Sequence, residues 1–559
     1  MSNVPTPSPN FTGQVVVDPV TRLEGHLRVE VEVADGKITN AHSCMTLFRG
    51  LEIIMKGRDP RDAQHITQRA CGVCTYIHSL ASTRAVEDAV GATLPTAANA
   101  IRNLVLLTHF LHDHVVHFYH LHALDFVDVP NCLNADPAKA ASIANSISSR
   151  KTTTESMKAV QDRIRKFVEG GQLGIFTNAY FLGGHPAYRL SPELDLIATA
   201  HYLEALRLQV KTARACAIFG AKHPHPQFMV VGGVTCYDAL RPERLAEFES
   251  LVKESIDFVN NVYIPDLLAV AGQYKEVAGY GGTSNFICGP DCLGDPTNPL
   301  SGLIRGGVIK NRDLANPMPF SVDPIVEHVR HSWYKGADAP HPFDGKTEPN
   351  FTDLHGDDRY SWSKAPRFND LSCETGPLAT VLTQYAVGNK PFVDTVDMVL
   401  GALDVGPEAL FSTLGRTAAR GIETAVFASK VLDYLEDLRA IIGNAKGAPE
   451  LVSKWEMPNS GQGYGVVNAP RGMLSHFIRI EDRKIGNFQL VVPTTWSLSP
   501  RDANGVLGAL EESLIGTPIE DASRPVEILR TIHSFDPCIA CAVHVIDPVT
   551  NQKREFKVL

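Results

Sequence analysis

The sequence predicts a mainly α, α+β fold: a large helical body with a small antiparallel β-sheet at its N-terminus. Long stretches repeat apolar residues at helical spacing, over 97–124, 138–170, 191–219, 241–263 and much of 408–444. Near the N-terminus the pattern changes to strict alternation, Val29-Glu30-Val31-Glu32-Val33, followed by the turn pair Asp35-Gly36 and then Lys37-Ile38-Thr39. Length alone, 559 residues, would suggest two to four domains, yet no linker separates any.

Composition describes an ordinary folded protein with a sizeable core, 44% hydrophobic and 20% charged. A formal net charge of −10 argues against a general nucleic-acid binder. No run approaches the roughly 18 apolar residues of a membrane span. Met1 to Gly13 has neither a basic nor an apolar signal region, which by itself predicts a cytoplasmic protein. Eleven cysteines, an odd number, do not form a disulfide framework.

In chain order, Gln14 to Val17 is a strand beside the Val29 hairpin. Thr21-Arg22-Leu23-Glu24-Gly25-His26 lies between them, and Glu24 read alone is a loop carboxylate. Glu52 reads alone as a helix-start glutamate. The helix over 97–124 carries His109, His112, His114, His117, His120 and His122. Most of these cannot share one helix face, so core histidines satisfied by hydrogen bonds are the expectation. Residues 138–170 and 191–219 read as two long amphipathic helices. The helix over 241–263 should kink or end at Pro265, with Gly272 stopping any continuation. The stretch Asp338 to Pro366 reads as an elaborate surface loop, and Pro377 to Ala386 as a helix with proline in its first turn. Gly461-Gln462-Gly463-Tyr464-Gly465 leads to Ala469-Pro470-Arg471-Gly472, where Arg471 read alone is a turn arginine. Cys44, Cys132, Cys216, Cys236, Cys288, Cys292 and Cys373 read as small buried hydrophobes, with Cys288/Cys292 a faint metal-clip candidate.

Two Cys-x-x-Cys clips stand near opposite ends of the chain, Cys71-Gly72-Val73-Cys74 and Cys538-Ile539-Ala540-Cys541, their first cysteines 467 positions apart. Two intervening residues let both sulfurs face one ion, and four thiolates suit Zn, Ni, Cu(I) or iron–sulfur iron. Thioredoxin-like redox pairs would need a nearby βαβ pattern, and ribbon clips lie roughly 15–20 residues apart. Neither condition is met, and a shared four-thiolate site would require the fold to bring both ends together.

The residues around the clips extend the pattern. Arg69-x-Cys71-Gly72-x-Cys74-x-x-x-His78 and Asp536-Pro537-Cys538-x-x-Cys541-x-x-His544 resemble the two signature motifs of the large subunit of [NiFe]-hydrogenases, uptake type. Arg22-x-Glu24-Gly25-His26, Phe48-Arg49-Gly50-Leu51-Glu52 and His112-Asp113-His114 continue the resemblance from Asp18 to His544. It implies that Cys71, Cys74, Cys538 and Cys541 bind a Ni–Fe centre whose iron carries CO and cyanide. Cys71 and Cys538 would be terminal nickel ligands; Cys74 and Cys541 would bridge the metals. Glu24 would exchange protons with Cys538. Arg471 would lie over the open coordination position, supported by Asp536, with Asp113 an outer carboxylate. Thr494, with Thr495, would hydrogen-bond a cyanide. Glu52, the carbonyl of Leu490 and His544 would hold a second buried ion, magnesium or iron. One departure is visible: the family has glutamate two residues before Pro470, and this chain has Asn468.

The resemblance further implies one domain over 1–544, with Val545 to Leu559 an extension cleaved by a maturation protease once insertion factors have placed nickel. The reaction would be reversible heterolytic cleavage of H2. This chain has no spare cysteines for a cluster relay, so the partner would be an iron–sulfur small subunit in an obligate heterodimer. That partner's twin-arginine signal would export both subunits to the periplasm, and any membrane attachment would come only through partners. Two other classes stand beside this reading. A non-catalytic scaffold like the quinone-module subunit of respiratory complex I would lack the four cysteines, and a structural zinc protein would hold zinc without nickel.

Overall fold

The structure is a computed structural model that describes residues 10–171, 173–176, 183–336 and 338–539. Cys541, His544 and the segment Val545 to Leu559 lie outside the described residues.

The N-terminal sheet is antiparallel, β1 (Gly13–Val17), β2 (Leu27–Ala34) and β3 (Lys37–Met45), in the order β1-β2-β3. Its hairpin turns at Asp35 and Gly36, both with positive φ, as a two-residue primed turn requires. Val29, Val31 and Val33 alternate into a core of their own, shared with Trp333, Trp362 and, from the far end of the chain, Ile528, Leu529 and Ile532. Backbone bonds add to this junction: Ile38 N–H donates to Thr517 O at 3.1 Å and Gly516 N–H to Ile38 O at 2.8 Å.

The helical body is built on α1 (Thr75–Val90), α2 (Thr96–Val116), α3 (Pro137–Ile147), α4 (Thr154–Glu169), α5 (Pro192–Gly220), α6 (Pro242–Phe258), α7 (Ile264–Gln273), α8 (Pro377–Ala386), α9 (Lys390–Leu403) and α10 (Thr413–Asn444). Almost all of α2 and the first half of α10 are buried on every side, so these two form the centre. Ser412 caps α10, its Oγ accepting from Gly415 N–H at 2.9 Å.

Three sequence expectations change. The stretch 138–170 is two helices, because Thr153 starts a new one by accepting from Ser156 N–H while Ser148 turns to extended backbone. Pro265 does not end its helix. A wide turn at Val259–Tyr263 precedes it, and the proline sits in the first turn of α7, where its missing N–H costs nothing. The supposed surface loop 338–366 is exposed only in part: Tyr360 to Lys364 are buried, and Ala365–Phe368 pairs with Ile325–His328.

A second sheet went unrecognised in the sequence: β4 (Ser460–Ala469), β5 (Gly472–Glu481) and β6 (Lys484–Val491), an antiparallel meander. Its strand β4 lies directly on α1. A Cβ on Gly465 would sit 2.1 Å from Ala81 O, and one on Gly463 2.3 Å from Ala89 N, so the alternate glycines permit the contact. A final helix, α11 (Val526–Ser534), returns the chain to the centre.

Candidate metal centre

Cys74 is the N-cap of α1, and Cys71 precedes it in extended backbone. The Cys71 sulfur accepts from the N–H groups of Val73 and Cys74 at 3.2 and 3.3 Å, an arrangement that favours thiolate. Cys538 arrives just beyond α11 and pairs as a parallel bridge with Glu24, Ile539 N–H donating to Glu24 O at 2.7 Å. Cys71 Sγ and Cys538 Sγ are 3.1 Å apart. The ligand atoms of Cys71, Cys74 and Cys538 all lie within 4.8 Å of one another, and all three residues are buried. No other group of three His, Cys, Asp or Glu among the described residues is so arranged. No disulfide forms among the described cysteines.

Three thiols converging in a dry site fit a soft, borderline metal better than a hard one. The surroundings are not those of a closed structural zinc site. Cys538 Sγ lies 3.3 Å from Glu24 Oε2. Arg471, at the turn between β4 and β5, donates from Nη1 to Asp113 Oδ2 at 2.8 Å and from Nη2 to Asp536 Oδ1 at 2.9 Å. Both carboxylates are fully buried. Burial pushes Asp113 up to about 7, against the opposing pull of Arg471. Burial works to neutralise Arg471, and Asp113, Asp536, Cys538 and Cys74 overcome it, leaving the guanidinium firmly charged. Thr494 Oγ1 accepts from Cys538 N–H at 3.1 Å.

Glu52 opens a short helix, Leu51–Met55. Its Oε1 accepts from Leu490 N–H at 3.0 Å, and its Oε2 meets Lys364 Nζ at 3.0 Å and the Thr347 hydroxyl. A cavity of about 20 Å3 is lined here by Glu52, Glu327, Lys364, Leu490 and Thr495. Lys364 Nζ also reaches Gln489 Oε1 at 2.6 Å, and Glu327 Oε1 is buried with no hydrogen-bond partner among the described residues. Burial pushes Glu327 up to about 7, with Lys364 opposing. These oxygens suit a hard cation. Lys364 and Glu327 carry no local sequence signal, because their partners come from distant segments.

The histidine row meets the expectation in part: His114, His117 and His120 are hydrogen-bonded, while both ring nitrogens of His109 are buried with no hydrogen-bond partner among the described residues. His114 Nε2 meets Glu423 Oε2 at 2.8 Å, and His117 and His120 each contact a different backbone carbonyl. Burial drives His109, His114 and His117 well below the usual imidazole range. Cys288 and Cys292 are buried and gather no third ligand among the described residues. One histidine was not singled out by sequence, His476 on β5, whose Nε2 meets Nδ1 of the motif histidine His78, one turn into α1, at 3.1 Å.

Comparison with known proteins decides the family. A model of the nickel-dependent hydrogenase family matches residues 49–544, and a second, described as HoxL-like, matches residues 14–48. The chain belongs to the nickel-dependent hydrogenase family. It is 46% identical to an uptake hydrogenase large subunit of Bradyrhizobium diazoefficiens, with 98% of each chain covered. It is 44% identical to the hydrogenase-1 large chain of Escherichia coli, with 96% of each covered. Among solved structures it superposes on the Ni-Fe-Se hydrogenase of Desulfovibrio vulgaris Hildenborough with a TM-score of 0.77 at 33% identity, covering 96% of this chain and 100% of that one. The hydrogenase chain is therefore the catalytic large subunit, an oxidoreductase that cleaves H2 reversibly, and its active site is a nickel–iron centre. No helix among the described residues is long and apolar enough to cross a membrane.

Proposed function

We propose that the thiolates of Cys71, Cys74, Cys538 and Cys541 would hold the nickel–iron centre. The observation that carries this is the convergence of three buried sulfurs, from clips 467 residues apart, beneath one doubly paired arginine. When bound, the centre supplies a redox-active Lewis acid at which H2 is polarised and split, with CO and cyanide completing the iron. The chain's own residues manage the charge and the proton. Asp113 and Asp536 fix the Arg471 fork, so a permanent positive charge faces the site without reorganising during reaction. Glu24 takes a proton from the Cys538 sulfur across the 3.3 Å contact. The hydroxyls of Thr494 and Thr495 would supply hydrogen bonds to a cyanide ligand.

Glu52, the Leu490 carbonyl and His544 bind a second ion, magnesium or iron, with Glu327, Lys364 and Gln489 setting the charge around it. Residues 1–544 act as one domain, and a dedicated protease removes Val545 to Leu559 after insertion factors deliver nickel. Electrons leave through an iron–sulfur small subunit in an obligate heterodimer, exported with it to the periplasm; cytoplasmic residence is the alternative.

The test is an infrared spectrum of the native heterodimer. Bands of iron-bound CO and cyanide are the expected result. A blank spectrum from processed protein ending at His544 sinks the assignment of this centre to these cysteines.

A further inference from the structure

Glu24 and Cys538 meet across 514 residues of sequence, and the segments that bear them are both anchored on a third place in the fold. Asp125 closes the short turn Ala123–Asp125 that follows the histidine row, and it is fully buried. Its Oδ1 pairs with Nη2 of Arg22, two residues before Glu24. Its Oδ2 takes Nδ1–H of His533, five residues before Cys538, at 2.6 Å. Its backbone carbonyl accepts from Arg530 Nε at 2.9 Å. The two limbs are also tied to each other, His533 Nε2 meeting Thr21 O at 2.8 Å. Arg22 reaches further to Leu121 O at 3.0 Å.

Arg22 holds φ of +55°, a left-handed conformation that a non-glycine residue keeps only where its surroundings impose it. Burial alone would raise the Asp125 pKa, but Arg22 and His533 overcome it and hold the carboxyl well below its usual range. A charged carboxylate with a guanidinium on one oxygen and the His533 ring on the other fixes two backbones at once. Neutral asparagine in the same volume can accept on one atom only.

We infer that Asp125 is the positioning residue for the Glu24–Cys538 contact, clamping the Arg22 loop and α11 to one point. Acting through Arg22 and His533, Asp125 sets the separation at which the proton passes from sulfur to carboxylate. Displacement of a reacting pair by about 1 Å costs on the order of 100-fold in rate. The inference rests on the reading of Glu24 as the proton-exchange group, so Glu24→Gln is the reference variant.

The experiment compares Asp125→Asn, Asp125→Glu and Glu24→Gln in the intact heterodimer, measuring nickel content, CO and cyanide infrared bands, H2 oxidation and the exchange of D2 against solvent protons. Asp125→Asn should keep nickel and band positions while losing H2 oxidation and exchange by about 10–100-fold, the range seen when groups supporting active-site ligands are removed. Asp125→Glu, which retains the charge, should recover part of the loss. A merely structural role would instead lower nickel content and leave the loaded fraction at normal exchange. If Asp125→Asn does not load nickel, Arg22→Gln cuts the Glu24 limb alone and should give the same loss with nickel retained. Wild-type exchange in Asp125→Asn or Arg22→Gln, while Glu24→Gln loses it, overturns the clamp and leaves the role of Glu24 standing. Wild-type exchange in Glu24→Gln overturns that role and the clamp with it.

Discussion

At the scale of single residues, Arg471 shows how much of the site depends on shape as well as charge. Its fork spans two carboxylates on different elements, Asp113 on α2 and Asp536 after α11. Lysine would keep a positive charge but bond one of them at a time. Removing the arginine would leave both buried carboxylates without their shared partner, which costs roughly 3–5 kcal/mol. Arg471→Lys should therefore lose about 100-fold or more in H2 oxidation with nickel content unchanged, measured on the purified heterodimer. Nickel loss in parallel with activity would show that the arginine supports assembly rather than turnover. The residue types in this network were legible in the sequence because the motifs name them. Asp125, Lys364 and His476 were not, since a buried aspartate, lysine or histidine carries no local signal until its partners from distant segments are known.

Among elements, the strand β4 and helix α1 make the point about close approach. Gly461, Gly463 and Gly465 alternate along one face of β4, and each lies against the backbone of α1, the helix that Cys74 caps. Gly465→Ala would drive a methyl into Ala81 O and should destabilise the protein by about 3 kcal/mol, seen as a lowered melting midpoint and reduced nickel content as α1 shifts. Gly401 gives the control: it lies within α9, exposed, with nothing within 4 Å of an added Cβ. Gly401→Ala should be neutral or stabilise by about 1 kcal/mol, chiefly through the unfolded chain. Equal effects at the two positions would mean that close packing on α1 is not what the β4 glycines serve. The same glycines explain why the second sheet was missed. Gly-x-Gly-x-Gly reads as loop by propensity, and only the tertiary contact makes it a strand. The helices, by contrast, were legible as far as their apolar period reached. Their breaks failed where the side chain of Thr153 and the wide turn before Pro265, neither visible in hydrophobic spacing, decided the outcome.

For the molecule as a whole, the question is what holds the two chain ends together around the centre. Apolar packing does part of it: β2 and β3 share a core with Ile528, Leu529 and Ile532 of α11, and backbone bonds join Gly36 and Ile38 to residues 516–519. Metal ligation by both clips, as proposed, would add a second tie, because ligand binding to the folded state alone stabilises it by mass action. The two ties act on different residues. Protein from a nickel-starved host should show faster amide hydrogen exchange at 69–75 and 535–539, which flank the cysteines, while β2, β3 and α11 keep most of their protection. The central helices α2 and α10, buried on all sides, should not change. A rise spread evenly over α11 and the N-terminal sheet would show instead that the metal, rather than the apolar junction, joins the ends. The apolar junction would in that case form only after nickel arrives. The expected pattern has the opposite order: the fold closes first, and the centre is built between ends already brought together.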